Sequence, residues 1–219
     1  MGTITSMDTR ITELEERILR LGELSEAAVS RAITALMRSD TMMARAIIKE
    51  DAAIDHAEIE VEEVCLDVLE HERPCGSDLR FVVAVLKIND NLERIGDLAE
   101  NVAEVVVQVG DWDRFRRVPG IEELATQAQT MVRNSMMALV NRDAILARRV
   151  IQDDKHADML YERIKTRIEK ELDRIPENAN PLLKLEHATR QFERIGDVAT
   201  NIAEEVIYLV EGQIVRHHS

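Results

Sequence analysis

Aromatic residues are almost missing from this chain: one Trp, two Tyr and three Phe in 219 residues. Glycine and proline are also scarce, at eight and four, while 32% of residues are charged. A β-rich fold draws its turns from Gly and Pro and fills its strands with aromatic and β-branched side chains. Their scarcity beside so much charge points to long helices instead. Only two cysteines occur, Cys65 and Cys75, without CxxC spacing. That excludes a disulfide framework and fits a reducing, cytoplasmic setting. Cys65 reads as a core residue and Cys75 as part of a turn, and neither is assigned a function. No apolar run approaches the ~20 residues that span a bilayer. The opening MGTITSMDTRITELEER has no basic segment followed by an apolar core, so no signal peptide is expected. Positive charge is in deficit, with 28 Lys and Arg against 42 Asp and Glu, a net charge of −14. Nucleic-acid phosphates and anionic lipid both need clustered basic side chains, so neither is an expected partner. Metal cations, or a basic patch on another protein, fit better.

Apolar residues make up 45% of the chain, enough for a sizeable core. Their periodicity predicts six helices. The first runs from about Asp8 to Arg38, and the second from Asp40 to about His71. A turn, ERPCGS, leads to a third helix capped by Ser77 or Asp78 and ending near Gly110. The segment GDWDRFRRVPG at 110–120 breaks the pattern. A fourth helix covers about Ile121 to Asn141, and a fifth starts at Asp143 and ends near Ile175. The turn PENANP leads to a sixth, with Asn180 as cap and Pro181 in first position, ending near Glu211.

The halves repeat. Residues 39–55 align with 142–158 at an offset of 103, and LERIGDLAENVAE at 92–104 aligns with FERIGDVATNIAE at 192–204 at an offset of 100, with nine identities in thirteen. The fold expected is therefore all-α, a tandem repeat of two antiparallel three-helix bundles, at 1–111 and 118–219. The three-residue difference in offset is assigned to the hairpin between the second and third helices of each unit. The third helices carry seams spaced alternately four and three. These are Ile88, Leu92, Ile95, Ala99, Val102, Val106 and Val109, and Ala188, Phe192, Ile195, Ala199, Ile202, Val206 and Leu209. Such spacing is that of a bundle core.

Beside each seam lies a polar stripe. In the first unit it is Asn89, Glu93, Asp97, Glu100, Asn101 and Glu104, and in the second Thr189, Glu193, Asp197, Thr200, Asn201 and Glu204. Carboxylates four apart share a helix face and repel unless something neutralises them. Arg94 and Arg194 point about 100° away from the neighbouring Glu. The second helix supplies a matching stripe, Asp51, Asp55, Glu58 and Glu62. Counting equal lengths from the hairpin sets Asp51 level with Asp97 and Asp55 level with Glu93. The same count sets Asp158 and Glu162 level with Asp197 and Glu193, with Asp154 one turn further along. Facing carboxylates call for a counterion, and oxygen-only ligands suit iron, manganese, magnesium or calcium better than structural zinc. A solvated acidic face is the competing reading. No Glu-x-x-His of the ferritin-like di-iron bundles is present. Gly96 and Gly196 interrupt helices one residue before the repeated Asp, which points to close helix packing or a ligand.

The paired ERIGD helices, the Asp78-Leu79-Arg80 that opens the third helix and the tandem three-helix layout resemble the PhoU family, phosphate-transport accessory and regulatory proteins, over nearly the whole chain. The resemblance implies two similar three-helix bundles. It also implies paired E/D-x-x-x-D motifs that hold multinuclear metal clusters in some members. Carried over, the candidate metal ligands are Asp51, Asp55, Glu93 and Asp97, then Asp154, Asp158, Glu193 and Asp197. Iron leads as the bound metal, with manganese, magnesium, calcium or zinc as alternatives. The implied function is a phosphate-responsive adaptor, a negative regulator of phosphate uptake and phosphate-starvation signalling. Its implied partners are the ATPase subunit of the phosphate ABC transporter and a phosphate sensor histidine kinase, and the implied assembly is a homodimer. Catalysis is not expected, since no Gly-rich phosphate loop, nucleophile elbow or Cys/His pair occurs. A metal-storage or di-metal carboxylate bundle is the alternative. Thr200 replaces Glu100 and Tyr161 replaces Glu58, which makes the first unit the stronger metal candidate.

Overall fold

The computed structural model describes residues 6–110, 118–175 and 179–215, and within them the chain is helical with no strand. In the first half α1 (Ser6–Arg38) is followed by α2 (Thr41–Glu50) and α3 (Ala52–Asp67), which continue one another as a single rod. The rod closes in a π-helical turn, Val68–Glu72, and α4 (Gly76–Val109) completes the bundle. The second half repeats the plan with α5 (Ile121–Asn141), α6 (Ala144–Arg174) and α7 (Ala179–Glu211). Among the described residues, no helix is long and apolar enough to cross a membrane.

The same device joins the first two helices of each half. Ser39 and Arg142 take left-handed backbone at φ 56° and 51°. The next amide reaches five residues back, Asp40 N–H to Ala35 O at 2.9 Å and Asp143 N–H to Ala138 O at 2.9 Å. Each Asp then caps the following helix. Asp40 accepts from the Met43 amide at 2.9 Å, and Asp143 from those of Ile145 and Leu146 at 2.9 and 3.0 Å. One residue thus stops a helix and its neighbour starts the next.

The ends of the later hairpins differ from expectation. α4 starts at Gly76 after Cys75 in extended backbone, so Ser77 and Asp78 stand in its first turn. α7 starts at Ala179, which puts Asn180 inside the helix and Pro181 in the first turn, where its missing N–H costs nothing. Residues 176–178 of the PENANP turn and 111–117 of the interrupted segment lie outside the described residues. The π-helical turn takes up extra length in the first hairpin, and α6 has no counterpart to it.

The core runs through both halves. All seam positions of α4 and α7 are buried except the half-buried Val109. α4 and α7 pack against each other, so the two bundles share the wall formed by their third helices. Cys65 is buried in that core, and its thiol is pushed up to about 12 by burial and by Glu62. That makes it a packing residue rather than a nucleophile.

Candidate metal centre

Each half brings three carboxylates together. In the first, Asp51 at the junction of α2 and α3 meets Asp97 and Glu100 of α4, each offering one oxygen within 4.8 Å of the others. In the second, Asp154 and Asp158 of α6 meet Asp197 of α7 within the same limit. Asp55 stands beside the first group and acts on its members electrostatically, while Glu93 and Glu193 feel the carboxylates of the first and second groups respectively. Glu100 was on the acidic stripe but outside the expected ligand set. Its signal was its position three residues past Asp97 on the same face. The level expected between Glu162 and Glu193 is not what the helices give. Glu193 responds to Asp197, Asp158 and Asp154, while Glu162 pairs with Lys165 at 3.7 Å.

Backbone geometry differs at the two aspartates. α6 runs straight through Asp154. At Asp51 the rod tightens instead: the Ile54 amide donates to the Asp51 carbonyl at 2.7 Å, three residues back, while the Asp55 amide reaches it at 3.2 Å. A cavity of about 150 Å³ lies behind this break, lined by Leu24, Ala28, Ile47 and Ile54 among others. The glycines beside the sites differ in the same sense. A Cβ on Gly96 would meet Ile54 at 2.8 and 3.1 Å and Asp51 Oδ1 at 3.3 Å. One on Gly196 would find Met131 at 3.5 Å and Asp154 Oδ1 at 3.6 Å, ordinary contact distances. Close helix approach therefore favours glycine at 96, where any Cβ would displace Ile54, and merely permits it at 196.

Charge is stored at both places. Burial, then Asp55 and Asp97, pushes Asp51 up to about 6. Burial, then Asp197 and Asp158, pushes Asp154 up to about 6 as well. Glu193 is raised furthest, to about 7, by burial and then by Asp197 and Asp158. Glu93, Asp97, Glu100 and Asp197 are raised too, each first by burial and then by neighbouring carboxylates. Oδ1 of Asp154 and the hydroxyl oxygen of Thr200 are both buried, with no well-formed hydrogen bond to either; the Thr200 hydroxyl lowers the Asp154 carboxyl slightly but less than burial, Asp197 and Asp158 raise it. A cation would satisfy Oδ1 of Asp154 and relieve the mutual repulsion, and hard oxygen donors are what such a cation takes. The residues present thus fit a multivalent metal ion.

Further along, the halves part. Glu58 is bound by Asn89, whose amide donates to the Glu58 carbonyl at 3.0 Å and carboxylate at 2.8 Å. Tyr161, which replaces Glu58, donates to Glu186 at 2.7 Å. Both positions are spent on tying the helix pair together.

The PhoU domain family matches the chain twice, over residues 18–106 and 121–206, once in each half. A Pseudomonas putida homolog of the phosphate-specific transport system accessory protein PhoU is 34% identical over 211 residues, which cover 96% of this chain and 82% of the relative. Among solved structures, PhoU from Pseudomonas aeruginosa superposes with a TM-score of 0.89 at 32% identity, covering 95% of this chain and 100% of the other. The phosphate transport system regulatory protein PhoU from Streptococcus pneumoniae gives 0.88 at 28% identity, covering 96% and 99%.

Proposed function

This chain belongs to the PhoU family, and from that premise we propose that it is a regulatory accessory protein of phosphate transport, restraining uptake and the phosphate-starvation response when phosphate is plentiful. It works without catalysis, in the cytoplasm and as a homodimer, by engaging the ATPase subunit of a phosphate ABC transporter and a phosphate sensor histidine kinase. The observation that carries this reading is the twofold family match, with both halves present and each bearing its carboxylate helix pair.

The metal reading is part of the same proposal. Asp51, Asp97 and Glu100, flanked by Asp55 and Glu93, would hold one ion or cluster. Asp154, Asp158 and Asp197, flanked by Glu193, would hold another. Bound there, a multivalent cation supplies charge neutralisation and a cross-link between the second and third helices of each half. Iron is the first candidate, with manganese, magnesium, calcium or zinc after it.

A deletion strain grown in rich phosphate tests the regulatory role. Derepressed phosphatase expression is expected, and unchanged expression overturns it. Elemental analysis tests the metal role separately. Wild-type protein should carry or take up metal, and Asp51→Asn combined with Asp154→Asn should abolish it. A wild-type protein that neither carries nor takes up metal removes the sites as described.

A further inference from the structure

The rod formed by α2 and α3 turns a long row of side chains to solvent. Counted from Met42 to Glu70 in alternate steps of three and four, every position is exposed. That spacing is the one along which a helix seats a second helix. Three of these positions carry large apolar side chains: Met42 is 75% exposed, Ile59 48% and Leu66 55%. Charge along the row is divided. Arg45 and Lys49 stand toward its start, Glu63 and Glu70 toward its end. None of these four is held in an ion pair among the described residues. Carboxylates on the side of the rod turned to α1 are held, Glu60 by Arg17 at 3.0 Å and Asp67 by Arg10 at 2.7 Å. The matching rod of the second half lacks the row. At the offset of 103, Glu162 stands for Ile59 and Glu169 for Leu66. Arg148, which stands for Arg45, is bound to Glu211 at 2.6 and 2.7 Å.

We propose that this row is the interface of the homodimer, with the α2–α3 rods of two copies packed antiparallel about a two-fold axis that passes between Ala52 and His56. This rests on the homodimer reading above and gives it a surface. A row that is basic at one end and acidic at the other is complementary to its own reverse, which is what a two-fold contact requires. In this register Met42 meets Leu66 of the partner subunit, and Arg45 meets Glu63 of the partner subunit. Lys49 lays its aliphatic stem on Ile59 of the partner subunit and keeps its ammonium at the rim. Symmetry makes each contact twice. The three large apolar side chains are covered, and charges left open in the single chain are paired. Parallel packing would instead oppose Arg45 to its own copy and Glu63 to its own copy, and like charges so placed repel. From Met42 to Leu66 the seam covers roughly three and a half heptads, within the range over which such patterns support paired helices. Charged layers alternate with the apolar ones and weaken the contact, so monomer and dimer exchange with concentration.

Sedimentation equilibrium of full-length variants, each confirmed as folded by circular dichroism, tests this. Wild type should pass from monomer to dimer as its concentration rises through roughly the micromolar range. Ile59→Glu with Leu66→Glu, which installs the residue type the second half carries at both places, should leave a monomer. Ile145→Glu, at the second half's counterpart of Met42, should leave the dimer unaltered. Arg45→Glu and Glu63→Arg should each weaken dimerisation by roughly tenfold or more, since each opposes like charges at both contacts. Mixing these two single variants should restore the dimer, because the mixed pair alone opposes unlike charges at both contacts. A dimer that survives Ile59→Glu with Leu66→Glu, a dimer lost in Ile145→Glu, or charge variants that regain nothing when mixed overturns the inference and leaves the homodimer reading standing. A wild type that stays monomeric at every concentration removes that reading and this inference with it.

Discussion

In the first half every charge that acts on Asp51, Glu93, Asp97 and Glu100 is another carboxylate, whereas in the second half Asp197 also feels Arg94 and Arg194, and Glu193 feels Arg190. The backbone divides the same way. The first half breaks its rod at Asp51 and closes tightly onto Gly96, where an added methyl would press on Ile54, while the second carries Asp154 on an unbroken helix with room at Gly196. Two copies of one helix pair have thus kept the facing pair Asp51 and Asp97, or Asp154 and Asp197, moved the third donor from Glu100 on the third helix to Asp158 on the second, and diverged in how the charge is managed. The first relies on a tight, distorted frame around an all-acidic group. The second dilutes its acidity with arginines, one of them borrowed across the α4–α7 contact.

The strongest way to break this comparison is to ask whether the halves share one core at all. Leu92 and Phe192 occupy equivalent seam positions and are fully buried. Phe192→Ala should cost about 3–5 kcal/mol and Leu92→Ala about 2–5 kcal/mol. Because α4 and α7 pack on one another, each variant should shift a single urea transition followed by circular dichroism. Two transitions, with only the mutated half displaced, would show that the bundles unfold separately.

The glycines offer a smaller and sharper test. Gly96→Ala drives a methyl into Ile54, whose stiff β-branched carbon at 3.1 Å cannot swing away, and towards Asp51. It should destabilise by about 1–3 kcal/mol despite the better helix propensity of Ala. Gly196→Ala meets only ordinary contacts, so propensity should dominate and give a gain of up to about 1 kcal/mol. Opposite signs in denaturant unfolding support the contrast between a closed first frame and an open second one. Equal losses would erase it.

Much of this was legible in the sequence, because the determinants are local or repeat. The seams follow from spacing, and Asp40 and Asp143 declare helix starts by residue type alone. The level of Asp51 with Asp97 followed from counting along a hairpin. What was not legible depends on geometry that spacing averages away. Helix rise along a hairpin says nothing of the tightened turn at Asp51, and counting along the second hairpin set Glu162 level with Glu193, whereas Asp158 is the second-helix carboxylate that acts on it most. Glu100 lay on the right face but outside the paired motif, so the expected ligand set omitted it. Arg94 was read only against its own helix, where it points away from Glu93. Its effect on Asp197 exists because α4 packs against α7, which no pattern within either helix encodes. The second half accordingly looked poorer in carboxylates than the first, although each assembles three.

The smallest expected effect concerns pH, and its sign follows from the raised carboxylates. Asp51 and Asp154 titrate near 6 and Glu193 near 7 in the folded chain, each above the ordinary range it regains on unfolding. Between that ordinary range and the raised values the folded state binds more protons than the unfolded one. Stability of the metal-free protein must therefore fall as pH rises through this window and level off above about 7. Thermal unfolding with chelator present should give a melting temperature a few degrees higher at pH 5.5 than at pH 8. Solvent screening keeps the effect modest, since these side chains are only partly buried. Divalent cation should remove the loss at pH 8 and do little at pH 5.5, where protons already neutralise the same oxygens. The comparison sharpens when the halves are tested singly. Glu193→Gln, which deletes the group titrating highest, should flatten the upper part of the profile, nearest pH 7. Asp51→Asn should flatten only the part around pH 6. A melting temperature that instead climbs from pH 5.5 to 8 would mean that these carboxylates are stabilised as anions, and the charge stored in both halves would not exist.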